Sequence, residues 1–330
     1  MFEQRNEEWG PNPIARSVIF GASIFDFDGD DRIELLLTAD FGTSTYWDWN
    51  GETFAEITEP AGLGTDENGM GTTVGDIDAD GDLDVFITSI YGETREECEV
   101  SWGCTGNRLF INDGTGRFDE CTSEYGVRDG GWGWGTSMFD ADNDGDLDLG
   151  MTSGYWLHWD AASLDGLRDR LGRYRNGGMR LWRNDGALPF VETSGSVSLV
   201  NAKRGRAFVP FDADRDGDLD LFVVNNSDEP VFFENQGMES RHWLVVSLRD
   251  STTPNTRGIG ATVWVRPTPE GRWIRRDIAA SGALLSTPVP EAHFGLGDIE
   301  GSVEVQVRWP DGEVTAVSDV DPDIHLRLER

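Results

Sequence analysis

The sequence predicts an all-β fold: a β-propeller with about four recognisable blades, followed by a small β-sandwich-like C-terminal domain. Three observations carry that prediction. An acidic loop motif recurs four times, each copy lies between two short runs rich in β-branched or aromatic residues, and the first three units then add a hairpin.

The third copy shows the motif in full. The stretch "FDADNDGDLDLGMTS", Phe139 to Ser153, places Asp140, Asp142, Asp144, Asp146 and Asp148 within nine residues and then turns apolar. Carboxylates so close together repel, and at an effective dielectric of about 20 each close pair costs on the order of a few kcal/mol. The spacing supplies the remedy. Side chains at positions 1, 3 and 5 of a tight loop converge, a Gly at position 6 allows the chain to reverse, and a carboxylate at position 9 closes a cage of hard oxygens suited to calcium. The other copies are "DFDGDDRIE" with Asp26, Asp28, Asp30 and Glu34, "DIDADGDLD" with Asp76, Asp78, Asp80, Asp82 and Asp84, and "DADRDGDLD" with Asp212, Asp214, Asp216, Asp218 and Asp220. These four loops hold 20 of the chain's 61 acidic residues, so the acidity is periodic and three to four calcium ions are expected.

The flanking segments read as strands. "RSVIFGASIF", "GTTVGDI", "GWGTSMF" and "RAFVPF" precede the loops, and "ELLLTAD", "DVFITSI", "DLGMTS" and "DLFVVNN" follow them. An EF-hand needs flanking helices and a Glu at loop position 12, where this chain has Leu37, Ile87, Met151 and Val223. The hairpins "YWDWNGETFAEIT", "RLFINDGTGRFDECT" and "RLWRNDGALPFVETS" turn on Asn and Gly. Four strands per unit, with successive loops starting 50, 64 and 72 residues apart, read as propeller blades. The fourth unit reaches "VFFENQG" without a returning strand, and a new domain begins there.

Composition narrows the function. With 330 residues, 38% of them hydrophobic, the chain can fill a sizeable core and is not a disordered acidic tail. A formal charge of −34, which four calcium ions reduce only to −26, opposes binding to nucleic acid or anionic lipid. No apolar run is long enough to span a membrane. Met1 to Phe20 lacks the pattern of a signal peptide, so any export signal is expected to have been removed or to lie outside this sequence. A disulfide between Cys98 and Cys104 would point to an oxidising compartment, while three unpaired thiols at Cys98, Cys104 and Cys121 would not.

Catalytic apparatus is not visible. His158, His242, His293 and His325 form no HExxH-type pair, and no GxSxG motif or P-loop occurs. Paired carboxylates invite a glycosidase reading, but a carboxylate engaged by calcium cannot act as a general acid. The chain is therefore expected not to be an enzyme. The 72-residue spacing comes from an insertion, Tyr155 to Gly178, with a predicted helix and an aromatic cluster, Tyr155, Trp156, His158 and Trp159. That cluster either presents a stacking surface to a sugar ring or partner loop, or packs the helix onto the scaffold.

The repeats resemble FG-GAP/VCBS repeats, whose pattern is DxDxDGxxD, as in integrin α-chain propellers. The tail, with "HWLVVSL", "RGIGATVWV", "HFGLG" and "VQVRWPDG", resembles the ASPIC/UnbV domain of cartilage acidic protein-like proteins. The resemblance divides the chain into a propeller over 1–240 and an ASPIC/UnbV domain over 241–330. It implies calcium ligands at loop positions 1, 3, 5 and 9 with a backbone carbonyl at position 7, which is Arg32, Asp82, Asp146 and Asp218 here. Asp31 stands where the family has Gly and Glu34 replaces the closing Asp, so the first site is expected to be weakest. Integrin-type propellers have seven blades, and four units are visible here. The expected function is a calcium-stabilised binding or adhesion module, secreted, periplasmic or on the cell surface, that recognises a protein or carbohydrate. The alternative is a glycan-active or biosynthetic accessory enzyme built on the same scaffold.

Overall fold

Each acidic loop joins the first two strands of a small antiparallel sheet. The computed structural model describes residues 17–93, 103–155, 172–174, 177–237, 240–280 and 284–330. The first sheet runs β1 (Ile19–Phe25), β2 (Glu34–Ala39), β3 (Thr45–Trp49) and β4 (Phe54–Glu56) in sequence order. The second repeats this with β5 (Thr72–Gly75), β6 (Asp84–Ile87), β7 (Arg108–Asn112) and β8 (Phe118–Glu120). The third is β9 (Gly133–Phe139), β10 (Asp148–Ser153), β11 (Met179–Arg183) and β12 (Val191–Glu192). The fourth stops at three strands, β13 (Gly205–Phe211), β14 (Asp220–Asn225) and β15 (Val231–Phe233), as the missing return strand predicts.

Burial on both faces explains the apolar runs that follow the loops. Along β6, Val85 and Ile87 pack with Leu36 and Tyr46 of the first sheet and Phe27 of its acidic loop, while Phe86 faces Leu149 and Met151 of the third. The third and fourth sheets close over Phe139, Leu181, Phe208, Leu221 and Val223. Alternate side chains thus serve opposite neighbours, and every residue of β6 is buried.

The first strands β1, β5, β9 and β13 pack on one another in that order. Among the described residues no packing of similar extent returns from β13 to β1, so the sheets form an arc and no closed propeller is present. Its end faces show the same apolar pattern unpaired. Ile24, 48% exposed, lies across from Leu35 at one end, and Phe232, 46% exposed, lies across from Phe222 at the other.

The C-terminal part is a two-sheet sandwich. One sheet orders β19 (Glu291–Gly297), β16 (His242–Arg249) and β22 (Ile324–Glu329), with β22 parallel to β16. The other orders β18 (Ile274–Asp277), β17 (Thr262–Arg266), β20 (Val303–Arg308) and β21 (Val314–Val320). Leu244, Val246 and Phe294 of the first sheet meet Val263, Val305 and Val307 of the second in one core. This sandwich sits on the acidic loops. A cavity of about 390 Å³ remains between it and the inner strands, lined by Phe25, Ser137 and Phe211 on one side and Arg275, Arg276 and His293 on the other.

Candidate metal centre

All four loops share one backbone path, and it needs two left-handed residues. They fall at positions 4 and 6: Gly29 and Asp31 (φ 74° and 64°), Ala79 and Gly81 (61° and 104°), Asn143 and Gly145 (61° and 95°), and Arg215 and Gly217 (68° and 93°). The Gly at position 6 was predicted from sequence, whereas the demand at position 4 was not. In the first loop the two positions exchange chemistry, with Gly at 4 and Asp at 6, and the path is kept.

The carboxylates turn inward. Oxygens of Asp26, Asp28 and Glu34 lie within 4.8 Å of one another, as do those of Asp76, Asp78 and Asp84, of Asp140, Asp142 and Asp148, and of Asp212, Asp214 and Asp216. Asp144 joins Asp142 and Asp185 in a further such group. Position 5 also serves the loop itself, since Oδ1 of Asp30, Asp80, Asp144 and Asp216 accepts the amide of position 7 at 2.8, 2.9, 3.0 and 3.0 Å. Side chains at position 7 leave the cluster: Asp146 pairs with Arg272, and Asp218 Oδ1 accepts Asn143 Nδ2 at 2.6 Å. Arg32, at that position in the first loop, pairs with Asp30.

Position 9 acts as a bracket. Asp84 Oδ2 accepts the Ile77 amide at 2.9 Å while its Oδ1 accepts the Asn112 amide at 2.9 Å. Asp148 does the same for Ala141 and Asn184, and Asp220 for Ala213 and Asn235. The three asparagines then reach across to the preceding sheet, donating Nδ2 to Phe27 O, Ile77 O and Ala141 O at 2.8, 3.1 and 2.9 Å. Sequence reading assigned Asn112 and Asn184 to hairpin turns and gave Asn235 no role. Their recurrence in "IND", "RND" and "ENQ", at the end of the third strand of the second, third and fourth units, was the available signal.

Glu34 Oε2 accepts the Phe27 amide at 2.7 Å, whereas its buried Oε1 has no hydrogen-bond partner. Asp76 Oδ1 and Asp142 Oδ2 are likewise buried and unpartnered. Burial, reinforced by neighbouring carboxylates, pushes Glu34 and Asp84 up to about 8 and Asp76 and Asp140 to about 6, and raises Asp148 well above the usual carboxylate range. Converging hard oxygens, some stripped of any donor and costly to ionise alone, fit a divalent cation of the calcium class. No nitrogen or sulfur ligand joins these groups among the described residues, which disfavours zinc or copper.

The C-terminal sandwich supplies the surrounding positive charge. Arg241 Nη1 meets Asp142 Oδ1 at 3.0 Å and Asp144 Oδ2 at 3.3 Å, and Arg308 Nη1 meets Asp31 at 3.1 Å. Arg275 Nη1 donates to Gly81 O at 2.7 Å. Two histidines distant in sequence converge on the fourth loop, with His293 Nε2 2.8 Å from Gly217 O and His325 Nε2 3.2 Å from Asp212 Oδ2. No linear motif announces that meeting.

Of the predicted insertion surface, Tyr155 is described and stacks on Trp132 with ring centroids 4.1 Å apart. Trp156, His158 and Trp159 lie outside the described residues, as does Cys98. Cys104 is disulfide-bonded and Cys121 carries a free thiol.

Repeated three- and four-stranded sheets with an acidic bracket at the head of each, capped by a β-sandwich, define a class of loop-stabilised repeat proteins. The sequence matches the family model for FG-GAP-like repeats over residues 26–87 and 100–151, and that for ASPIC and UnbV over residues 251–330. The chain is an FG-GAP-like repeat protein with a C-terminal ASPIC and UnbV domain. No curated protein matches it.

Proposed function

We propose that this chain is a calcium-stabilised binding module of the extracellular type, in which the four sheets are blades of a propeller-like array and the metal is structural. The observation that carries this reading is the set of buried, unpartnered carboxylate oxygens, Glu34 Oε1, Asp76 Oδ1 and Asp142 Oδ2, inside loops of one repeated geometry. Asp26, Asp28, Asp30 and Glu34 would hold an ion in the first loop, and the residues at positions 1, 3, 5 and 9 would do so in the others. Bound calcium supplies charge neutralisation and nothing redox or acid–base. The chain's own residues do the rest: Asp84, Asp148 and Asp220 fix each loop to its hairpin, and the asparagines fix each sheet to the one before.

A disulfide at Cys104 and the absence of any membrane-crossing helix among the described residues are consistent with a compartment that is oxidising and rich in calcium. With part of the loop face under the sandwich, a protein or carbohydrate partner is left the other faces of the arc, including the side where Tyr155 stacks on Trp132 and Arg206 lies over Trp134 at 4.0 Å. The test is thermal unfolding of the metal-stripped chain titrated with calcium and, in parallel, magnesium, with bound ions counted by native mass spectrometry. A calcium-selective rise in melting temperature with three or four ions bound is expected. No ion and no shift would reduce the loops to solvated turns.

A further inference from the structure

The third loop differs from the others in how the sandwich touches it. Gly295 N donates to Asp140 Oδ2 at 3.1 Å, and Arg241 Nη1 holds Asp142 Oδ1 and Asp144 Oδ2. Three of the four candidate ligands of this loop are therefore oriented by the C-terminal sandwich. Gly297 N adds a bond to Asn143 O at 2.8 Å, and Arg272 pairs with Asp146. Among the described residues, loops one, two and four receive from the sandwich one exposed pair at Asp31, a bond to Gly81 O, and contacts to Asp212 and Gly217 O. Only the third has its candidate ligands held at positions 1, 3 and 5 together.

Asp142 shows what this does. Its Oδ1 is engaged by Arg241, while Oδ2 is buried without a partner in the same group as Asp140 and Asp148. A carboxylate fixed on one oxygen by a guanidinium offers the other in a fixed direction, which is how outer-shell groups raise the affinity of a metal ligand. The fit is close enough to exclude a side chain at Gly295, where a Cβ would stand 2.2 Å from Asp140 Oδ2 and 2.4 Å from the Asn143 backbone.

We propose that Arg241 and the Gly295 amide make the third loop an interdomain latch, in which cation binding at Asp140, Asp142, Asp144 and Asp148 and docking of the C-terminal sandwich reinforce each other. The proposal rests on the calcium reading above. Reciprocity follows from linkage: whatever docking adds to metal affinity, metal adds to docking. Arg241 carries a like charge to the metal, but five acidic residues in this loop leave it anionic after that pairing, so a cation is still attracted.

The test uses the full chain, calcium as the probe, and the variants Arg241→Ala and Arg241→Lys. Ion affinities are read by calorimetry with native mass spectrometry, and amide hydrogen exchange across β19 reports docking. The expected result is that Arg241→Ala weakens one ion about 10- to 100-fold, leaves the others unchanged and abolishes the calcium-dependent protection of β19, with partial rescue by Arg241→Lys. Unchanged or tighter binding at every site in Arg241→Ala overturns the latch while leaving the calcium reading intact. Absence of calcium from the wild-type chain overturns both. Should Arg241→Ala misfold, Arg241→Lys alone decides, because a merely structural arginine gives no change confined to one ion.

Discussion

Asn112, on the second sheet, donates its side-chain amide to the carbonyl of Phe27 in the first acidic loop at 2.8 Å, and to Leu83 O at 3.2 Å. Asn184 and Asn235 repeat the bond one and two sheets further on. The first sheet has Trp49 at the corresponding place, two residues past the partner of Leu35, and Asn50 only closes its own turn through Glu52 N and Thr53 N. Each staple satisfies two buried carbonyls. Asn184→Ala is expected to destabilise the fold by about 2–4 kcal/mol, since stranding a buried polar group costs about 1–3 kcal/mol. Asn50→Ala, the control, should cost under about 1 kcal/mol. Denaturant midpoints measure both, and equal losses would show that the bridge between sheets contributes nothing special.

The left-handed positions give a second expectation. Ala79 adopts φ 61°, a conformation that costs an L-residue about 1–2 kcal/mol, so Ala79→Gly should stabilise the chain by up to about 1 kcal/mol after the entropy cost of Gly. Gly81→Ala should lose about 1–2 kcal/mol through backbone strain alone, because no atom lies within 4 Å of the added methyl. Gly217→Ala differs, since its Cβ would fall 1.9 Å from the Trp243 indole. Hydrogen exchange should show the sandwich loosened in Gly217→Ala and unchanged in Gly81→Ala.

Glu34→Gln separates the charge from the shape of the first loop. Glu34 is 1% exposed, its Oε2 holds the Phe27 amide, and burial raises it to about 8. The amide keeps the acceptor and removes the buried charge. At pH 8.5 in chelator the variant should melt higher than wild type, and in calcium it should bind one ion fewer. A lower melting temperature in chelator would mean that Glu34 is stabilised by something other than protonation or a cation.

Much of this was legible because the motif acts locally. The spacing of Asp76, Asp78, Asp80 and Asp84 fixes a turn whose carboxylates must converge, and the alternation of Val85, Phe86 and Ile87 between two neighbours leaves an apolar run in the sequence. What stayed hidden depends on partners distant in sequence. Arg241 meets Asp142 across 99 residues, and His293 meets Gly217 across 76, through docking that no periodicity encodes. Asn112 was read as a turn residue, which it also is, since its Oδ1 accepts the Gly114 amide at 3.2 Å. Turn chemistry and stapling use opposite ends of one amide, and only the first has a local signature.

The metal-free chain should respond to acid in the opposite sense to most proteins. Glu34 and Asp84, raised to about 8 by burial, sit far above the values near 4 they take when unfolded. A raised folded value means that the native state binds more protons, so their contribution is complete below the unfolded value and is lost as pH rises through about 8. Lowering pH from 8.5 to 6.5 in chelator should therefore raise the melting temperature. Asp76, Asp140 and Asp218, all near 6 through burial, extend the gain below that. His293 works against them. Buried and lowered to about 4 from an ordinary 6.5, it favours the native state above 6.5 and withdraws that support as pH falls toward 4. One histidine withdraws less than the five carboxylates supply, so the metal-free chain is expected to gain stability down to about pH 4. With calcium bound the carboxylates are held ionised and protons compete with the ion, so the loaded chain should lose stability on acidification and the two curves converge. Melting temperatures from pH 4 to 9 with chelator and with calcium measure this, and a metal-free curve that falls steadily from 8.5 to 6.5 would show the loops to be open to water.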